Sequence, residues 1–232
     1  PAVWDAMSEL KVAGFTDRLG IAPGPANGFT LDLIYSFEQF GELMDWAMII
    51  LNPLEPWPGR LCLEAAENAG IDILTRVVDY GGIFHGTMKP DHKFRDGDHR
   101  TYRPSGWVEE GLSRVDKMRS IIDKYDLSEL HFSCLWNLSH APVRSVVPTF
   151  IQEAGDDAKP IEDLVREYGS LPIESPFSQA EVDEIAAIGD NTGCMMLKGA
   201  SNRHAESLRP DEWPMRPELM ELADRHGLGS EW

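Results

Sequence analysis

Ile73-Leu74-Thr75-Arg76-Val77-Val78-Asp79-Tyr80-Gly81-Gly82-Ile83-Phe84-His85-Gly86 runs from an apolar, β-branched stretch into a glycine-containing loop that then turns strongly charged. A strand ending in such a loop is the junction at which α/β barrels place their ligands. Val143-Arg144-Ser145-Val146-Val147-Pro148 repeats the pattern further on, again after an amphipathic helix and again before a polar loop leading to a helix. Repeated strand-loop-helix units imply a parallel sheet or barrel.

Trp46-Ala47-Met48-Ile49-Ile50-Leu51 is continuously apolar and predicts a strand buried on both faces. A shorter strand is predicted within Phe15 to Ala22. Pro23-Gly24-Pro25-Ala26-Asn27-Gly28 excludes regular structure, through two fixed φ angles and two permissive glycines. Leu31, Leu33, Ile34, Phe37 and Phe40 keep helical spacing, and Leu61 to Ala69 predicts a helix with Gly70 as its left-handed cap. After a long polar loop from His85 to Ser105, Val115, Met118, Ile121, Ile122 and Tyr125 predict another helix. Ser128 and Ser178 stand as N-caps of helices reaching Leu138 and Ile188, and a further helix is predicted from Ile161 to Tyr168. From Asp190 onward the chain reads as irregular except for Pro217 to Arg225.

Four strands result, each followed by helical segments, where a closed barrel takes eight. The expected fold is therefore α/β, a partial (β/α)₈ TIM barrel made of the C-terminal four βα units, over residues 1–188, with residues 189–232 as a tail packed on it. The chain opens at Pro1 rather than Met, and Val3, Trp4, Met7 and Leu10 already show helical spacing, so a truncated N-terminus is expected.

Thirty-nine acidic against 21 basic residues leave a formal charge of −18, which argues against nucleic acid because phosphate binding needs clustered Lys and Arg. No apolar run approaches the roughly 20 residues that span a bilayer, and no leader is evident. A soluble cytoplasmic protein without membrane partners is the expectation. Cys62, Cys134 and Cys194 form no CxxC and are expected to be reduced structural residues, with Cys134 on a helix. His85, His92 and His99 recur at sevens among acids, but sevenfold spacing in a loop fixes no converging ligands, so no metal site is expected.

Leu10 to Gly14 with Arg18-Leu19-Gly20-Ile21-Ala22, Leu51-Asn52-Pro53-Leu54, the stretch from Ile73 to Gly86, and Trp136 to Pro148 occur in the order and near the spacing of one family. Over Ala2 to about Ile188 the sequence resembles the aldo/keto reductases, NADPH-dependent carbonyl reductases on a (β/α)₈ barrel. The resemblance implies an oxidoreductase acting on a small-molecule carbonyl or alcohol with NADP as cofactor. The family's Asp, Tyr, Lys and His lie on strands preceding the one that contains Gly20, hence before Pro1, and none of the tyrosines here stands at a matching strand end with a Lys partner. No catalytic residue is therefore assigned within this chain.

For the cofactor, the resemblance implies Lys159, Glu162 and Asp163 at the adenosine end, with Asp163 in place of the family's Asn. Their i, i+3, i+4 spacing puts them on one face of a helix turn. On the residues alone, an ordinary helix start with acids in its first turn is the plainer reading. Arg76 stands where the family has a Tyr on the nicotinamide ring, Val77 where it has a Ser, and Thr149 where it has a Gly, with the Thr149 hydroxyl or N–H as a donor to phosphate. An Arg paired with Asp79 or another acid is the plainer reading of Arg76. The loop from Gly86 to Arg100 corresponds to one that covers the pyrophosphate, with Lys89, Lys93, Arg95 and Arg100 as donors. Two alternatives remain open: a non-catalytic nucleotide-binding or structural half-barrel, and a metal-dependent sugar isomerase using the His-rich loop.

Overall fold

A computed structural model describes residues 2–23, 30–155, 158–192 and 217–228. Helix α1 (Ala2–Val12) leads to β1 (Gly20–Ile21), α2 (Thr30–Phe40), β2 (Trp46–Ile50), α3 (Leu63–Asn68) and β3 (Asp72–Arg76). Then come α4 (Trp107–Lys117), α5 (Arg119–Lys124), α6 (Glu129–Leu138), β4 (Val143–Val147), α7 (Ile161–Gly169), α8 (Gln179–Ile188) and α9 (Pro217–Arg225). The strands form one sheet in the order β1-β2-β3-β4, every pair parallel. Parallel neighbours need a crossover between them, and helices provide each one here.

The two faces of the sheet differ. Ala47, Ile49, Ile73, Thr75 and Val146 are buried, whereas Trp46, Met48, Leu74 and Ser145 are only partly so. The sequence reading of β2 as buried on both faces is corrected on this point. An apolar run marks a strand that could be covered twice, but among the described residues the helices cover one face, and Trp46 is left to take the Arg18 guanidinium 5.2 Å from its ring centroid.

Local signals account for most boundaries. Ser128 and Ser178 cap α6 and α8 by accepting from the His131 and Glu181 amides, and Glu181 returns the bond to complete a capping box. Gly70 takes a φ of 68°, the left-handed conformation that ends the α3 segment. The helix predicted from Leu61 to Ala69 is divided into a 3-10 turn, Gly59–Cys62, and α3. That predicted around Val115 starts earlier, at Trp107, and breaks at Met118 into α4 and α5. Asp190 and Asn191 follow α8, and Asn191 is buried. Its amide pairs with both backbone groups of Trp57, at 2.9 and 2.8 Å. The loop Gly24–Gly28 lies outside the described residues, as does the segment 193–216.

Cys134 lies on α6 as expected, and burial pushes both the Cys134 and Cys62 thiols up to about 12, which leaves them inert near neutrality. No helix among the described residues is long and apolar enough to cross a membrane.

His140 closes α6. Its Nδ1 lies 2.9 Å from the Trp136 carbonyl, its Nε2 is buried without a partner, and burial lowers its pKa to about 4. Since an exposed His titrates near about 6.5, the unfolded chain takes the proton first as pH falls. Stability should therefore drop between about pH 6.5 and pH 4, by up to about 3 kcal/mol at one pKa unit per 1.36 kcal/mol. Urea denaturation across that range checks this, with His140→Gln expected to flatten the slope.

Candidate functional site

The loops leaving the C-terminal ends of β2, β3 and β4 meet in a polar network, and β3 supplies its centre. Val77, directly after β3, has a φ of 58°. A β-branched residue rarely adopts this left-handed conformation, which costs roughly 1–2 kcal/mol. Two bonds hold it there: its carbonyl accepts from Asn52 Nδ2 at 3.1 Å and from the Tyr80 amide at 3.0 Å. Asn52, buried after β2, also accepts from the Leu54 amide at 3.0 Å through its Oδ1. The reversal at Val77 turns the Val78 carbonyl toward Ser133 Oγ on α6, which donates to it, and sends Asp79 inward.

Asp79 is fully buried. Its Oδ2 lies 2.8 Å from His85 Nε2 and accepts from the Thr149 amide at 3.0 Å, while its Oδ1 accepts from Thr149 Oγ1 at 2.9 Å. Burial drives the Asp79 pKa up, but His85 and both Thr149 donors outweigh it, so the carboxyl is held below its ordinary range. One carboxylate thus ties the β3 loop to the β4 loop.

Above it the segment 86–105 folds back as a strap. Arg100 is 2% exposed. Its guanidinium donates to Asp98, to the Gly81 carbonyl at 2.9 Å, and to both carboxylate oxygens of Glu153 in the β4 loop. Phe94 lies under it, 4.5 Å from ring centroid to guanidinium carbon, and stacks on Trp107 at 5.8 Å. Arg103 sits over Tyr80 and Trp107 at 4.6 and 4.5 Å. Gly81 and Gly82 take φ of 66° and 99°, a conformation that glycine adopts without the strain a side chain would bring, and Gly82 lies against Arg100 Nη1 and Glu153 Oε1. Arg100 holds the Asp98 carboxyl down to about 2.

The structure places the sequence-derived residues as follows. Arg76 ends β3, opposite Ile50 and Val147. Val77 is the strained residue of the network, and Thr149 spends both donors on Asp79. Asp79, the acid considered for Arg76, is engaged by His85 and Thr149. Lys159 precedes α7 and is paired with Glu167 two turns on, while Asp163 pairs with Arg166 and Glu162 is exposed. Of the four loop cations, Lys89, Lys93 and Arg95 are exposed and Arg100 is buried. His85, His92 and His99 have separate surroundings: Asp79, then Glu153 at 3.3 Å, then Asp98 at 3.9 Å. No group of three or more His, Cys, Asp or Glu among the described residues is placed to hold a metal ion. Missed from the sequence were Asn52 as a clamp, Asp79 and Thr149 as a pair, and Glu153. A cavity of about 350 Å³ between Trp57, Arg60, Asp183 and Asp190 lies on the flank, and none of the network residues lines it.

This rim lies at the C-terminal ends of parallel strands, where α/β barrels place ligands. Its donors are already engaged: Thr149, Arg100 and Lys159 serve protein carboxylates.

No family model matches the sequence, and no curated protein matches it. Among solved structures, the chain is similar to the glycerol dehydrogenase AKR11B4 from Gluconobacter oxydans, with a TM-score of 0.59 and 18% identity, over 78% of this chain and 51% of that one. It is also similar to the aldo-keto reductase AKR11C1 from Bacillus halodurans in its apo form, with a TM-score of 0.54 and 13% identity, over 80% of this chain and 56% of that one. At such identities the likeness is one of fold. The chain spans about half the length of these proteins, and the partial barrel expected from the sequence is what it shares with them.

Val77→Gly should raise stability by on the order of 0.5–1 kcal/mol, the left-handed strain relieved less the greater backbone entropy of Gly. Chemical denaturation measures it. A loss of stability would mean that the Val77 side chain, partly buried, contributes more packing than its backbone costs.

Proposed function

We propose that this chain is the C-terminal part of an aldo/keto reductase, and that the whole protein is an oxidoreductase acting on a small carbonyl or alcohol with a nicotinamide dinucleotide, in the cytoplasm. The observation that carries the reading is the parallel order β1-β2-β3-β4 with its C-terminal loops joined through Asn52, Val77, Asp79 and Thr149, in a fold shared with that family. In this reading Arg76, Val77 and Thr149 face the nicotinamide and phosphate side, while Lys159, Glu162 and Asp163 meet the adenosine end of NADP. No step of chemistry is assigned to the cofactor, because the donors that would bind its phosphates are engaged. That same observation favours a second reading, a non-catalytic half-barrel in which the network is structural.

The 232 residues by themselves should reduce no carbonyl compound, since a hydride acceptor needs a proton donor at the developing alkoxide and this reading puts that donor on other strands. NADPH consumption with a panel of aldehydes tests it, and turnover above background refutes it.

Lys159→Ala should weaken NADPH more than NADH, by on the order of 1 kcal/mol, toward the low end for a charge-assisted bond because Glu167 competes for the ammonium. Fluorescence titration with both dinucleotides decides. Equal losses would confine Lys159 to its ion pair with Glu167.

A further inference from the structure

Arg100 is the one buried guanidinium among the described residues, and it lies on the loop that leaves the C-terminal end of β3, where α/β barrels place ligands. Five of the chain's 21 basic residues, Lys89, Lys93, Arg95, Arg100 and Arg103, fall on the strap or at its end, although the protein as a whole carries −18. This local excess points to an anionic ligand. Yet the guanidinium is engaged from both sides, by Asp98 at 2.7 Å within the strap and by Glu153 across the gap to the β4 loop. The two acids differ in what they do. Asp98 caps the strap's own 3-10 turn and accepts from the Arg100 amide at 2.9 Å, so it belongs to the strap's local structure. Glu153 comes from another loop, 53 residues away, and presents its carboxylate in the two-oxygen geometry in which Arg also binds phosphate.

We propose that Glu153 is an internal competitor for the phosphate groups of a ligand at this rim: its carboxylate occupies Arg100 until a ligand's phosphate replaces it. Glu153 thereby sets affinity without touching the reacting part of any substrate. The surroundings allow the exchange. Arg100 stays neutralised by Asp98 and anchored on the Gly81 carbonyl when Glu153 leaves. Gly82 has no side chain to block the approach. Lys89, Lys93 and Arg95 are exposed nearby on the strap to attract a polyanion. The proposal rests on the reading of the strand ends as the ligand site, but it requires only phosphate and not a nicotinamide.

The test is calorimetric titration of the 232-residue chain with inorganic pyrophosphate and, separately, with NADH and NADPH. Glu153→Gln should bind pyrophosphate at least tenfold more tightly than the unaltered chain. Glu153→Asp, which keeps the charge but shortens its reach, should give a smaller gain and serves if the Gln variant fails to fold. Asp91→Asn removes the same charge from an exposed site on the strap outside the network and should change binding less than twofold. Equal or weaker pyrophosphate binding by the folded Glu153 variants overturns the proposal, as does an equal gain from Asp91→Asn. Dinucleotide binding that ignores Glu153 overturns it while leaving the reductase reading in place. Tighter pyrophosphate binding with no dinucleotide binding in any variant supports it and removes only the reading that this chain by itself holds the dinucleotide.

Discussion

A carboxylate without access to water has to be met by donors on every side, and Asp79 imposes that requirement on the whole rim. His85 comes from Asp79's own turn, but Thr149 comes from beyond β4, 70 residues away, and contributes an amide and a hydroxyl together. Both loops must therefore take one relative position or leave a buried charge short of partners, a loss of several kcal/mol when one member of such a set is removed. The strain at Val77 follows from the same demand. Only by turning left-handed there can the chain leave the sheet in time to point Asp79 inward, and Asn52 stabilises that turn from the neighbouring strand.

A second clamp works on the outside of the sheet. Trp136 on α6 donates to the Val182 carbonyl on α8 at 3.0 Å, Tyr125 and Lys124 reach Glu181, and Asn191 holds the backbone of Trp57. Gly189 permits the last of these, because any Cβ there would fall 1.6 Å from the Pro53 carbonyl oxygen. The helix after the final βα unit is thus fastened to the loop after β2, two strands back. The rim is fixed from within by a charge and from without by close packing.

The elements legible in the sequence were those decided by neighbours along the chain. Ser128 and Ser178 announced α6 and α8 because a cap and its amide lie three residues apart, and Val143 to Val147 read as a strand because it follows an amphipathic helix and runs into Pro148 and a polar loop. The start of α4 carried no such sign: its N-cap is Gly106, which has no side chain with which to bond the first turn. The candidate site was legible only in part. Position at the strand ends could be read from the loops, but Arg100 and Thr149 are engaged by partners 53 and 70 residues off, and nothing local to either names Glu153 or Asp79. Even the exposure of β2 was a non-local matter, since its apolar run describes what could cover the strand rather than what does.

The same distinction separates two kinds of cation on the strap. Lys89, Lys93 and Arg95 project into solvent, where their charges act at a distance and are weakened by salt. Arg100 works by contact. Burial disfavours its charge, but Asp98 and Glu153 more than compensate and raise its pKa. An anion approaching the rim would feel the first group early and meet the second only by exchanging with a carboxylate already in place. Under the proposed exchange, attraction and final affinity are set by different residues, so that a strongly acidic chain would keep a cationic strap without holding every phosphate that reaches it.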